Sequence, residues 1–230
     1  MNDAEIHGIF PCPVYLITRD IDLSSREEKD ISRIIKRGVY KNYGNSTTED
    51  HNIFNNRLEK IKRFCELHLD NYIKQIIVPN KKINLYITQS WLNVTKPSEF
   101  HHEHFHQNSI ISGVFYVSTV ENDSITFFDP NSKVKNLIKI TTNEYNPFNS
   151  TDMTFSVKDN QLILFPSWMN HSVQANKSTK DRISISFNTF VRGSIGVSDD
   201  LNELVLCIIF TDRDSETLSK PLDITDVVVY

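Results

Sequence analysis

Residues 101–106 read His-His-Glu-His-Phe-His, so four of the chain's eight histidines and one carboxylate fall within six positions. Imidazole and carboxylate are donors that divalent iron, zinc and nickel accept, and a metal needs several of them at about 2.0–2.2 Å. A β-strand readily supplies two, because side chains at i and i+2 leave the same face. The stretch offers three such pincers: His101 with Glu103, His102 with His104, and His104 with His106. Each needs a third arm from elsewhere. His68 falls inside a helical pattern, and His7 and His51 sit in N-terminal extended or loop segments. His171 follows the apolar run QLILFPSW, so a second strand of the same β-rich block can deliver it across a cavity.

Beyond His171 comes a strand with strict period two. In Arg182-Ile183-Ser184-Ile185-Ser186-Phe187-Asn188 one face is wholly apolar and the other wholly polar. The polar face either meets solvent, as half of most antiparallel sheets does, or lines a wet cavity between sheets. A guanidinium and a hydroxyl beside a metal would clamp a carboxylate. That suits a dicarboxylate cosubstrate that also chelates the metal.

The elements that must position these groups are legible in outline. Ser24 or Ser25 can cap a helix through about Arg37, with Glu27 and Glu28 in its first turn and Gly38 after it. A longer helix is expected from about Asn55 to Ile77, burying Leu58, Ile61, Cys65, Leu69, Tyr72 and Ile76, with Pro79-Asn80 as its stop. From residue 83 the texture changes to short β-branched and aromatic runs: INLYITQSWLNV, SIISGVFYVSTV, DSITFFDP, MTFSVK, NQLILFPS and DRISISFNTFV. Helices followed by a block of strands imply an antiparallel sandwich or barrel with helices packed on one side.

Composition bounds the rest. A chain of 230 residues, 39% hydrophobic and 23% charged, can bury one sizeable core. A net charge of −4 leaves no basic footprint for nucleic acid. Cys12, Cys65 and Cys207, odd in number and far apart, make no disulfide framework and fit a reducing compartment. The opening MNDAEIHGIF is not a secretion signal, and LVLCIIF at 204–210 is far shorter than the about 20 residues that span a bilayer. A cytoplasmic protein is the expectation.

Taken together, a proximal His-X-acid or variant, a distal His and then Arg-X-Ser resemble the Fe(II)/2-oxoglutarate-dependent oxygenases. More closely, GIFPCPVY, SWLNV, HFHQNSIISGVFYV, ITFFDP, LILFPSWMNHSVQAN, RISISFN and GSIGV resemble a subgroup of 2OG-Fe(II) oxygenases from marine phages and bacteria. The resemblance runs from about residue 8 to about 206. It implies a mainly β fold with a double-stranded β-helix (jelly-roll) core. Residues 8–82 would form an extended segment and supporting helices, 83–206 the core and 207–230 a C-terminal extension, all in one domain. It implies Fe(II), 2-oxoglutarate and O2 as the reacting set, with ascorbate as an accessory, in the cytoplasm of a bacterial or phage-infected cell.

Carried over by position, the resemblance puts the metal on His104, His106 and His171, with Arg182 and Ser184 on the far carboxylate of 2-oxoglutarate. Tyr116 would add a hydroxyl there, and Asn93 a hydrogen bond to cosubstrate or substrate. Trp91, Asn188, His102 and Glu103 would be supporting or substrate-mouth residues, and Trp168 would pack beneath His171. The wider family has a carboxylate where this chain has His106. A register shifted along the cluster, with His101, Glu103 and His171, would restore it. The implied reaction is hydroxylation of an unactivated C–H, with release of succinate and CO2, on a peptide or prolyl side chain or a small molecule. Two rivals are a cupin-like three-histidine dioxygenase that does not use 2-oxoglutarate and a non-catalytic jelly-roll binding or virion protein. Segments 38–52 and 141–152 are candidate lids, and the apolar C-terminal runs suit pairing into a homodimer.

Overall fold

Ser24 opens helix α1 (Ser25–Arg37) with a reciprocal cap: its hydroxyl accepts from the Glu27 amide, and the Glu27 carboxylate accepts from the Ser24 amide. Arg19 pairs with the same carboxylate at 3.0 Å, both side chains buried. The computed structural model describes residues 5–206 apart from 56, 133–137 and 139. The extension expected at 207–230, with Cys207, lies outside these residues.

Helix α2 (Glu59–Tyr72) starts at Glu59 rather than near Asn55, because Leu58 takes a left-handed conformation (φ 54°) that ends the helical run. Ile61, Cys65, Leu69 and Tyr72 form the expected buried stripe. It does not extend to Ile76. Residues Ile73–Ile77 wind as one wider π-turn, closed by the Val78 amide on the Ile73 carbonyl at 2.8 Å. The added residue per turn swings Ile76 to 37% exposure, and Ile73 takes the buried place.

The described residues form twelve strands in two antiparallel sheets. The larger contains β1 (Tyr15–Thr18), β2 (Val39–Lys41), β3 (Ser46–Thr48), β4 (Ile83–Thr95), β6 (Ile111–Ser118), β9 (Gln161–Pro166), β11 (Arg182–Ile195) and β12 (Leu204–Leu206). Its order is β1-β9-β6-β11-β4-β3-β2, with β12 added on β11. The smaller contains β5 (His101–His104), β7 (Ser124–Phe128), β8 (Asp152–Ser156) and β10 (His171–Val173), in the order β5-β10-β7-β8. This is the jelly-roll sandwich with helices on one side.

Strand alternation sorts the side chains. Phe115, Leu162, Leu164, Ile185 and Phe187 leave the outer face of the large sheet and share one buried cluster with the α1 and α2 stripes. Val114, Tyr116, Ile163 and Phe165 leave the inner face and pack against Ile125, Phe127 and Val173 of the small sheet. The polar face of β11 also points inward: Arg182, Ser184 and Ser186 are all buried. It therefore lines a cavity, the second of the two readings its alternation allowed.

Two local features hold this arrangement. Gly113 on β6 lies opposite Phe187 on β11, and a β-carbon there would stand 2.1 Å from Phe187 Cζ. Phe187 is fully buried and has no solvent to move into. Gly113→Ala is therefore expected to cost about 1–3 kcal/mol through overpacking, seen as a lower urea midpoint at unchanged m. The second feature is the hairpin of β2 and β3. Residues 38–52 do not form a free lid, because β3 is buried and pairs with β4, with Thr47 Oγ1 donating to Asn93 Oδ1 at 3.1 Å.

Candidate metal centre

Strands β5 and β10 pair antiparallel and put His104 directly opposite His171. Their ring centroids are 4.3 Å apart, and His106 stands 5.1 Å from His104 and 5.2 Å from His171. The ligating atoms of these three side chains all lie within 4.8 Å of one another. His106 lies past the end of β5, and its amide is fixed by the Ser167 carbonyl at 2.9 Å. His104 Nδ1 donates to the His102 carbonyl at 2.8 Å, and His171 Nδ1 donates to the Met169 carbonyl at 3.0 Å. A carbonyl can only accept, so the bonds set the tautomer and leave Nε2 of each ring as a lone-pair donor toward a metal.

The β5–β10 register contains a bulge. His104 pairs with His171 but His101 pairs with Val173, so three steps along β5 answer two along β10. The extra residue flips strand parity between His104 and His101. His101 thus turns inward, lines the cavity and stacks on His104 at 4.3 Å. Glu103 turns outward and accepts from Asn170 Nδ2 at 2.9 Å. The alternative grouping of His101, Glu103 and His171 is therefore not assembled.

Across the cavity, Arg182, Ser184, Asn93 and Tyr116 line the wall facing the histidines, around a space of about 30 Å³. Arg182 Nε lies 3.0 Å from Asp123 Oδ2, with both side chains buried. The Arg182 guanidinium also stands 5.4 Å from the Tyr116 ring centroid. Burial pushes the Tyr116 phenol up to about 12, so it stays a hydrogen-bond donor. Tyr116 Oη and Asn45 Oδ1 in the cavity wall are among the buried polar atoms without a well-formed hydrogen bond. Buried polar atoms of this kind need a partner: a cosubstrate carboxylate could accept from the Tyr116 phenol, and a water could donate to Asn45 Oδ1.

The remaining sequence candidates fall in different places. Asn93 lines the cavity but is tied on both sides, by Thr47 Oγ1 and by its own Nδ2 donating to Ser186 Oγ at 2.9 Å. Trp91 lines the cavity with its ring 6.0 Å from that of His106. Asn188 stands off the cavity and accepts from Ser112 Oγ, which bonds Ser167 Oγ; the Ser167 carbonyl is the one that holds His106. His102 packs on Tyr43 at the surface. Trp168 does not pack beneath His171: it is 52% exposed, and the buried neighbour Met169 supplies the supporting carbonyl. Asp123 and Asn45 were not found from sequence. Asp123 sits in the turn before β7 and Asn45 at the tip of the β2–β3 hairpin, and neither carries a spacing signal.

Burial lowers the affinity of these imidazoles for protons. His106 falls to about 4 and His101 to about 2, each mainly by desolvation, and His104 and His171 shift the same way for the same reason. Neutral rings are ready ligands, with no proton to displace near neutral pH. They also make folding depend on pH. An unfolded histidine titrates near 6.5, so below that value the unfolded chain takes up protons that the folded site refuses. Stability is full above about pH 6.5 and is lost as pH falls toward 4, at up to about 1.4 kcal/mol per unit for each ring. The metal-free protein is expected to lose Tm between pH 7 and 5, and His106→Asn to show a shallower slope in the same calorimetric series.

No helix among the described residues is long and apolar enough to cross a membrane. Residues 89–188 match the family model described as "Putative 2OG-Fe(II) oxygenase". No curated protein sequence matches the chain. Among solved structures, the non-heme alpha ketoglutarate dependent epimerase SnoN from nogalamycin biosynthesis superposes with a TM-score of 0.56 at 12% identity, over 92% of this chain and 86% of that one. An oxidoreductase of the 2OG-Fe(II) oxygenase family from Burkholderia pseudomallei gives 0.51 at 9% identity, over 76% and 83%. A prolyl hydroxylase in complex with a hypoxia inducible factor oxygen degradation domain peptide fragment, from Trichoplax adhaerens, gives 0.51 at 13% identity, over 77% and 83%. At such identities the likeness carries the fold alone. The matched segment runs from Gln89, midway along β4, to Asn188 in β11 and holds His104, His106, His171 and Arg182 together; over these residues the chain matches the 2OG-Fe(II) oxygenase family.

Proposed function

We propose that the protein is an Fe(II)- and 2-oxoglutarate-dependent dioxygenase that hydroxylates an unactivated C–H of a peptide or prolyl side chain, or of a small molecule. The observation that carries the reading is the pairing, in one cavity, of three neutral imidazoles with a buried guanidinium on the opposite wall. The donor set fits Fe(II): imidazole suits divalent iron, and three protein ligands leave coordination positions for a chelating cosubstrate and O2. With these bound, the centre supplies oxidative decarboxylation of 2-oxoglutarate to succinate and CO2, coupled to oxidation of a substrate C–H.

The chain's own groups would do the positioning. His104, His106 and His171 would hold the metal, with backbone carbonyls setting the tautomers of His104 and His171. Arg182 and Ser184 orient the far carboxylate, and the Tyr116 phenol donates to it. Val114, Ile125 and Val173 keep the inner wall dry. The test is succinate formation from 2-oxoglutarate, measured with and without Fe(II) and O2. Succinate that requires both, and vanishes with a chelator, supports the reading. Substrate oxidation by the iron-loaded protein that proceeds without 2-oxoglutarate would favour the three-histidine dioxygenase class, which His106 in the carboxylate's place makes the natural competitor.

A further inference from the structure

His101 and His102 have no part in the centre described above, yet both stand beside His104. The ligating atoms of His101, His102 and His104 lie within 4.8 Å of one another, as those of the inner trio do. Their rings sit 4.3 to 5.4 Å apart by centroid. Neighbours on a regular strand point to opposite faces. Here the bulge turns His101 inward, and the β2–β3 hairpin holds His102 close. The Tyr43 carbonyl accepts from His102 Nδ1 at 3.2 Å, which leaves Nε2 available. Gly44, at φ +99°, lets the hairpin tip reach the chain ahead of the cluster: the Phe100 amide donates to its carbonyl at 3.0 Å, and a β-carbon would stand 2.6 Å from the Phe100 carbonyl oxygen.

We propose that His101, His102 and His104 form a second cation site, between the cavity and the surface, for a borderline-soft divalent ion such as Zn2+ or Co2+. The donor set is all imidazole, since Glu103 is turned to Asn170, which disfavours Mg2+ and Ca2+. The two sites share His104. Its Nδ1 is committed to the His102 carbonyl, so one ring nitrogen serves both, and one nitrogen holds one ion. Occupancy is mutually exclusive: an ion in the outer site withdraws His104 from the inner one. Only this competition rests on the proposed inner centre.

The test is anaerobic Co2+ titration followed by visible absorption and metal stoichiometry. His106→Asn/His171→Asn removes two inner ligands while keeping side-chain bulk and a donor for the Met169 carbonyl; His106→Asn alone serves if the double variant does not fold. The expected result is one Co2+ per chain in that variant, lost when His102→Ala is added, and one rather than two in the unsubstituted protein. No Co2+ bound by the inner-site variant, or two bound at once by the unsubstituted protein, would overturn the proposal. Failure of the inner centre gives a different pattern: His102→Ala alone then binds no Co2+.

Discussion

Replacing Arg182 with leucine is expected to weaken use of 2-oxoglutarate sharply and also to destabilise the fold, through two separable causes. The cosubstrate's far carboxylate loses its guanidinium. Truncating one partner of a buried charge pair costs about 2–5 kcal/mol, which in kcat/KM is a fall of roughly 30- to 5,000-fold, most of it in KM. Independently, Asp123 is left buried without its cation, and breaking a buried ion pair costs about 3–5 kcal/mol of stability. The double variant Arg182→Leu/Asp123→Asn removes the stranded charge. It is expected to recover much of the stability and none of the cosubstrate binding. Calorimetry and 2-oxoglutarate titration of the two variants separate anchoring from folding. Equal recovery of both would mean that Arg182 serves the fold alone.

His171→Asn is the second large effect. Its ring is buried, directly opposite His104, and is the only one of the three metal candidates carried by a strand other than β5 or its extension. Without it, iron would be left with two ligands from one short segment. Turnover is expected to fall below detection with tightly bound iron lost, while the jelly roll persists, because the amide keeps most of the volume and the bond to the Met169 carbonyl. Melting and iron content measured on the same sample check this. Retained stoichiometric iron would show that His171 is structural.

The charge of the centre explains why an imidazole can stand at position 106. A facial set with one carboxylate would carry one more negative charge. Here Asp123 supplies a negative charge from behind Arg182 instead of at the metal. A divalent metal, Arg182, Asp123 and a dianionic cosubstrate then sum to neutrality in a cavity where unbalanced charge is expensive. In the proposed centre, moving the carboxylate off the metal would leave three neutral ligands facing the dianion and strengthen the hold on it.

What the sequence made legible follows from regular spacing. The period-two alternation of residues 182–188 identified β11 and separated its polar face from its apolar one, though not which way the polar face turned, and the run before His171 pointed to a second strand for that residue. The capping pair Ser24 and Glu27 marked the start of α1 because the cap is local chemistry. Long-range pairing left fainter traces. The bulge that turns His101 inward depends on β10 lying opposite β5, so i and i+2 counting alone assigned His101 to the wrong face. Asp123 and Asn45 sit on turns that only the folded sheet brings to the cavity. Trp168 was placed beneath His171, where Met169 lies instead, because a turn, unlike a strand, sets no alternation. Ile76 was misplaced by the π-turn at Ile73–Ile77, which no apolar period announces.

The central claim is that His104, His106 and His171 hold the metal and that Arg182 anchors its cosubstrate. An anaerobic crystal structure with Mn(II) and N-oxalylglycine tests it most directly. The metal is expected on Nε2 of His104 and His171 and on the His106 ring, with the far carboxylate of the analogue on Arg182. Metal held by Glu103, or an analogue carboxylate that leaves Arg182 to Asp123 alone, would contradict it.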